Sequence, residues 1–438
     1  MKRVIAIFDI GKTNKKFFLF DEDYHIVYET STSGNEIHDE DGFPCDDLVA
    51  TTQWIKEKLH EKLNDRSFEI VALNFATYGA SFVHIDEGGN PLTPLYNYLK
   101  PLPDALEKKF YATYGNKEQV ALETASPALG MLNSGLQLYW LKHARPDVFA
   151  LTAVSLHLPQ FLACLFHQKR LADITSIGCH TALWNFEKNA YHSWVIAEMI
   201  DQKLAPLFDS IEVVHSIVGS KAILCGVGLH DSSAAFIPYI QNIKDPFVLI
   251  STGTWCITMN PFNTSSITVK ELEQDCLCYM SYKGVRVKAS RLFSGYGHEQ
   301  EAKRMAAHFN TGAEYFAEVK YDPTLVAGLD FTPDAGSVFN CENYTTYEEA
   351  YHQLMCRIIQ QQKKSTDLVL SSDVKKIFVD GGFAKNEIYM QLLAKAYPDH
   401  EVYAASVSQA TALGAALAIH RHWNTRPVPE NLIAVKKY

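Results

Sequence analysis

The feature that most constrains this chain is a pattern that occurs twice. Near the start, the apolar run Val4-Ile5-Ala6-Ile7-Phe8 ends in Asp9-Ile10-Gly11, and a second apolar run follows from Phe17 to Phe20. Mid-chain, Phe247-Val248-Leu249-Ile250 runs into Ser251-Thr252-Gly253-Thr254, then Trp255 to Met259. Short apolar runs closed by a glycine read as buried strands joined by a tight turn. An internal repeat is a statement about architecture before it is one about chemistry. Here it predicts two similar α/β domains facing each other, with both glycine turns at the cleft between them. A chain of 438 residues is in any case too long for one hydrophobic core. The boundary is expected near Gln241 to Pro246, where Asn, Lys, Asp and Pro interrupt the apolar pattern, dividing the chain into residues 1–244 and 245–438.

The remaining elements fit that plan. Ile26 to Thr30 reads as a third strand of the first meander, and Ile70 to Phe75 as a further buried one. A helix is expected over Leu48 to Leu63, with Trp54, Ile55, Leu59 and Leu63 on one face. In the second half come a strand at Leu277 to Tyr282 and another at Ile377 to Val379. The latter opens into Asp380-Gly381-Gly382 and a helix from Asn386 to Ala396. A last helix, Gln409 to Ile419, is rich in Ala around Gly414, which suits close packing.

Composition removes several classes of function. A net charge of −10 argues against nucleic acid or an anionic membrane as partner, since both reward a basic face. The nine cysteines are scattered, only Cys276 and Cys278 lie close together, and no C-x-x-C pair offers a zinc site. Reduced thiols in a reducing compartment are expected. Asp9 ends the first apolar run too early for a signal peptide, and no stretch reaches the roughly 18 to 20 apolar residues of a membrane span. The expectation is a cytoplasmic protein.

Phosphoryl transfer needs a cradle for phosphates, a metal, a positioned nucleophile and a dry site. The turn Asp9-Ile10-Gly11-Lys12-Thr13-Asn14-Lys15-Lys16 can present backbone N–H groups to an anion, with Asp9 placed to hold Mg²⁺ and Lys16 to neutralise a phosphate. An ordinary hairpin would show the same residues; the recurrence at Ser251-Thr252-Gly253-Thr254 is what favours a matched pair of clamps. A P-loop is excluded, because Ala6 stands where its first glycine is required. Asp231, after Gly226-Val227-Gly228-Leu229-His230, reads either as a helix N-cap or as a general base beside a pocket-shaping His230. Gly381 and Gly382 would let backbone approach a flat ligand such as adenine. Gly79-Ala80-Ser81 and Trp184 are candidate sugar contacts, although a tryptophan in such a run is more often core.

Taken in order, Asp9-x-Gly11-x-Thr13-Asn14-x-Lys16, His230-Asp231, Ser251-Thr252-Gly253-Thr254-Trp255, Gly381-Gly382 and Ala410-Thr411-Ala412-Leu413-Gly414 resemble the FGGY carbohydrate kinases, from about Val4 to Ile419. The resemblance implies two ribonuclease-H-like domains of the actin and sugar-kinase type, closing over ATP and Mg²⁺. It implies Asp231 as catalytic base, Asp9 as the metal-associated carboxylate, and Gly11, Thr13, Asn14 and Lys16 as the first phosphate motif. Thr252, Gly253 and Thr254 become the second, with Gly381, Gly382 and Asn386 beside the adenosine. Within the family, His230-Asp231-Ser232 and Ser251-Thr252-Gly253-Thr254-Trp255 look closest to the rhamnulose and fuculose kinases, and Ala76-Thr77-Tyr78-Gly79-Ala80-Ser81-Phe82-Val83 is similar to a rhamnulose-kinase sugar segment; Thr77, Tyr78, Ser81, Trp184, His230 and Asp231 are the expected sugar contacts. The departures are Ser81 for an acidic residue, Tyr96-Asn97-Tyr98-Leu99-Lys100 for the usual Tyr/Trp-Arg-Asp with nearby basic residues, and Lys12 for a small one. The expected reaction is ATP-dependent phosphorylation of a small ketose, in a family often dimeric. Two other readings remain: a sugar-independent ATPase of the same fold, and a degenerate kinase that senses sugar or nucleotide.

Overall fold

A computed structural model describes residues 1–328, 331 and 339–438. The N-terminal run becomes β1 (Lys2–Ile10), which turns at Gly11 into β2 (Asn14–Asp21) and then β3 (Ile26–Ser33). β4 (Phe68–Thr77) lies parallel to β1, followed outward by β6 (Lys221–Cys225) and β5 (Val214–Val218). The sheet order is β5-β6-β4-β1-β2-β3, with the two-residue β7 (Leu229–His230) also beside β4. β1 through Phe8 and β2 from Phe17 are apolar on both faces because both faces are covered. On one side α1 (Leu48–Leu63) buries Leu48, Thr51, Ile55, Leu59 and Leu63, with Trp54 half-buried edge-on to Phe8.

The second half repeats this topology. β8 (Phe247–Thr252) is antiparallel to β9 (Cys256–Asn260) on one side and parallel to β12 (Lys376–Gly381) on the other. The order is β10-β11-β9-β8-β12-β13-β14, with β10 (Cys276–Met280), β11 (Arg286–Leu292), β13 (Glu401–Ser406) and β14 (Ala434–Lys437). The run expected at Leu277 to Tyr282 is thus the edge strand, and β11 fills the inner position. β11 escapes the apolar pattern because Arg286, Lys288 and Arg291 carry their charge into ion pairs with Glu187, Glu271 and Asp275.

Two helices between the sheets join the halves. α2 (Asp231–Asn242) belongs to the first half by sequence and α6 (Ala410–Ala418) to the second, and they pack against each other. A Cβ at Gly414 would lie 1.8 Å from the Ala234 carbonyl oxygen, so this approach requires glycine. α3 (Ser294–His308), α4 (Tyr347–Asp367) and α5 (Glu387–Ala396) complete the second half. Cys45, Cys164, Cys179, Cys225, Cys256, Cys276, Cys278 and Cys341 are free thiols, and no helix among the described residues is long and apolar enough to cross a membrane.

Candidate active site

Both glycine turns stand at the same end of their sheets. In the first, Gly11 N–H donates to the Asn14 carbonyl at 2.9 Å, and Thr13 and Asn14 are exposed at the tip. Strand alternation then sorts the charges. Asp9 and Lys16 are cross-strand partners, while Lys15 turns to the other face. Lys16 Nζ donates to Gln409 Oε1 across the halves at 3.1 Å. Lys15 Nζ is buried without a hydrogen-bond partner, and burial depresses its pKa.

Asp231 is the first residue of α2. It does not act as an N-cap, because His230 holds that position and no side chain caps the helix. Its Oδ1 instead accepts from Ser232 N–H at 2.5 Å and Ser232 Oγ at 3.2 Å, with His230 Nε2 at 3.4 Å. The side chain keeps a third of its surface open. Asp9 lies within its field: burial, and then the Asp231 charge, push the Asp9 carboxyl up to about 6, against the opposing pull of Lys16. A buried carboxylate with another at hand and a raised affinity for positive charge is a donor set that suits Mg²⁺.

The second turn is built differently. Thr252 Oγ1 donates to the Asp380 carbonyl at 2.5 Å and accepts from Phe383 N–H at 3.0 Å, so this hydroxyl is committed to the fold. Gly381 has φ +91°, and a Cβ there would meet the Thr252 carbonyl oxygen at 1.9 Å. Gly253 donates to the Trp255 carbonyl at 2.9 Å, and Gly253 and Thr254 are exposed. Beside them opens a cavity of about 430 Å³, lined by Thr252, Gly253, Gly382, Phe383, Lys385 and Asn386 among others. Asn386 caps α5, accepting from Tyr389 N–H, and donates to the Tyr351 hydroxyl at 2.7 Å. Buried His298 shares that hydroxyl at 2.9 Å and is neutral, its pKa lowered to about 4 by burial.

On the side toward the first half, Thr77 is fully buried and its hydroxyl donates to the Tyr78 carbonyl at 2.8 Å. The Tyr78 hydroxyl donates to Asp46, which also pairs with Lys12 at 3.0 Å. Gly79 lets the His230 ring approach; a Cβ there would come within 2.7 Å of it. His230 also faces Cys179 at 3.5 Å and Tyr279 at a ring separation of 6.3 Å. Burial lowers its pKa, so the imidazole is neutral. Ser81 is buried.

The order of these parts along the chain matches a known arrangement. Residues 4–236 match the model of the FGGY family of carbohydrate kinases, N-terminal domain, and residues 244–427 that of the carbohydrate kinase FGGY, C-terminal domain. The chain belongs to the FGGY carbohydrate kinases. This kinase is 23% identical to a rhamnulokinase of Oceanobacillus iheyensis, over 87% of its own length and 84% of the relative's. Its fold is similar to a carbohydrate kinase from Novosphingobium aromaticivorans, with a TM-score of 0.81, 21% identity and coverage of 100% and 94% of the two chains. A xylulose kinase from Rhodospirillum rubrum gives a TM-score of 0.82 at 13% identity, covering 100% and 94%. The kinase is therefore a phosphotransferase that uses ATP, with the two-domain sugar-kinase fold.

Sequence reasoning and geometry part company at particular residues. Trp184 is buried with the core of the first half, edge-on to Tyr191. In the altered segment, Asn97 donates to the Pro44 carbonyl at 2.9 Å and accepts from Leu99 N–H, while Lys100 pairs with Asp39 and Asp41 at 2.6 Å. That segment clamps the loop around residues 39–44. Gln409, His298 and Lys385 were not singled out as site residues. Gln409 adopts φ +51° immediately before α6, and only the approach of the two halves puts it against Lys16.

Proposed function

We propose that this kinase transfers the γ-phosphoryl group of ATP to a primary hydroxyl of a small ketose, with Asp231 as general base. The observation that carries the reading is the junction of Asp231, Asp9 and Lys16, charges coupled to one another at the point where the two halves meet. The relative named rhamnulokinase supports a ketose as acceptor. The division of the chain is placed between residues 244 and 245.

In this reading Asp231 accepts the proton of the acceptor hydroxyl as that oxygen attacks the γ-phosphorus. The bond from phosphorus to the β–γ bridging oxygen breaks, and ADP leaves with the electron pair. Ser232 holds one carboxylate oxygen of Asp231, and the neutral His230 beside it adds no competing charge. Lys16 exchanges Gln409 for the transferring phosphoryl group, whose charge it stabilises. Gly11, Thr13 and Asn14 cradle phosphate from one side, and Gly253 and Thr254 from the other. Asp9 would hold Mg²⁺, which would supply charge neutralisation for the phosphates. The cavity beside Gly382 and Asn386 receives the adenosine. Thr77, Tyr78 and Ser81 act as walls of the acceptor site, through Gly79 and His230.

ADP release with ATP-Mg²⁺, measured against rhamnulose, fuculose, xylulose, ribulose and glycerol beside a no-sugar control, tests the reading. Release that depends on one ketose, and is lost about 10²- to 10⁴-fold in Asp231→Asn with ATP binding retained, is expected. Release indifferent to sugar, or to Asp231→Asn, would remove it.

A further inference from the structure

We propose that His298 reads the nucleotide base, donating a hydrogen bond from Nδ1 to the N1 nitrogen of adenine and so selecting adenine over guanine. The inference rests on the adenosine placement above and deepens it with a residue and a rule of base selection.

Three helices of the second half converge on one buried proton. Asn386 stands at the start of α5, and its Oδ1 accepts from Tyr389 N–H at 3.0 Å, which fixes the way its amide faces. Nδ2 is therefore the group that lies 2.7 Å from the Tyr351 hydroxyl of α4, and it can only donate. Tyr351 is fully buried, and burial pushes its pKa up, so the phenol keeps its own proton. Among the described residues that proton has one acceptor in reach, Nε2 of His298 on α3, at 2.9 Å. Burial lowers the His298 pKa to about 4, so the imidazole is neutral near pH 7 and carries a single proton. With Nε2 accepting, that proton sits on Nδ1.

His298 is 9% exposed and forms part of the wall of the cavity of about 430 Å³. Its Nε2 is turned inward to Tyr351, and among the described residues Nδ1 has no hydrogen-bond partner. A buried N–H calls for an acceptor, and the cavity is the open space that His298 borders. The wall around it is apolar. Phe316 and Phe383 stand edge-on to the imidazole, with ring centroids 5.1 and 5.3 Å away, and Ala317 and Val319 line the same cavity. Apolar surface with one fixed donor suits a flat heteroaromatic base better than a ribose or a phosphate.

The N1 position separates the two purines. In adenine it is a bare acceptor, whereas in guanine it carries a proton. A donor whose proton is held in place by Tyr351 then meets another donor, and both are left unpaired. An imidazole free to change tautomer would accommodate either base.

Calorimetric titration with ADP and with GDP tests this without any acceptor sugar, in wild type, His298→Phe and Tyr351→Phe. Wild type should bind ADP roughly tenfold more tightly than GDP, and His298→Phe should bring the two affinities together. Tyr351→Phe removes the hydroxyl that assigns the proton, so the preference for ADP should shrink although this side chain does not line the cavity. Tyr351 is in this sense a positioning residue, and the variant keeps the test open should His298→Phe fail to fold. Long-range ¹H–¹⁵N spectra of histidine-labelled protein give a second readout. Wild-type His298 should be protonated at Nδ1, and Tyr351→Phe should show both tautomers. Equal affinities in wild type, a preference unchanged in both variants, or a wild-type proton on Nε2 would overturn the base reading and leave the nucleotide cavity standing. Binding of neither nucleotide to wild type would overturn the adenosine placement and this inference with it.

Discussion

The two glycine turns occupy equivalent places in sheets of one topology, and only the first carries charge. Asp9, Lys12 and Lys16 surround the first, whereas Ser251 to Trp255 contain no ionisable side chain. The packing demand is reversed. A Cβ at Gly11 would stand 3.0 Å from the Asn14 carbonyl oxygen. At the second turn, backbone meets backbone. Cβ atoms at Gly295 and Gly381 would lie 1.8 and 1.9 Å from the carbonyl oxygens of Gly253 and Thr252. Duplication kept the scaffold and divided the labour: the first turn carries the charged side chains, the second a closely packed backbone wall.

This contrast can be broken most directly at Lys16. Lys16→Met should reduce phosphoryl transfer about 10²- to 10³-fold without lowering the melting temperature, as loss of one preorganised charge does. If Thr254→Ala were equally costly in kcat, the division of labour would fail. At the wall the effect should fall on stability. Gly381→Ala places a side chain at φ +91° against a carbonyl oxygen, and a loss of about 3 kcal/mol is expected in denaturant unfolding. Gly11→Ala should cost less than half of that.

Asp9 sharpens the comparison through pH. Burial and the Asp231 charge raise its pKa from the ordinary 3.8 to about 6, so the folded state binds the proton more tightly than the unfolded chain. The stability this contributes is complete below about pH 4 and is lost as pH rises through 6. Asp9→Asn should therefore raise the melting temperature at pH 7.5, by the equivalent of up to about 3 kcal/mol, and leave it unchanged at pH 4. Activity should show the opposite dependence, rising through pH 6 in wild type as the carboxylate forms. The smallest effects belong to uncharged contacts and to the unpaired ammonium. Thr252→Val strands the Phe383 N–H and should cost about 1 to 2 kcal/mol, read by urea unfolding. Lys15→Met, which removes a buried amine with no partner, should be neutral or stabilise by about 1 kcal/mol, read the same way.

Much of this organisation was legible in the chain. Val4 to Phe8 and Phe247 to Ile250 are apolar without alternation because they become central strands covered on both faces, and so the duplication shows directly. Asp9 and Lys16 could be paired from the turn alone, since a tight hairpin fixes register. The acceptor side was harder. Trp184 and Trp255 look alike as letters, yet one is 6% exposed and the other 43%. Asn386 reads as an adenosine contact, yet its side chain also caps α5 and donates to the Tyr351 hydroxyl.

What the sequence determined by itself was therefore everything that depends on neighbours along the chain. Strand alternation, turn chemistry and helix periodicity are local, and they carry the duplicated topology, the charged first turn and the glycine-bearing second. What the tertiary structure decided was which side chains are free. Whether Thr252 has a spare hydroxyl, whether Lys16 meets Gln409 and which tryptophan faces outward depend on the approach of segments far apart in sequence. Lys16 and Gln409, for one, are separated by 393 positions. Burial and hydrogen-bond commitment are properties of that approach, and no spacing along one strand encodes them.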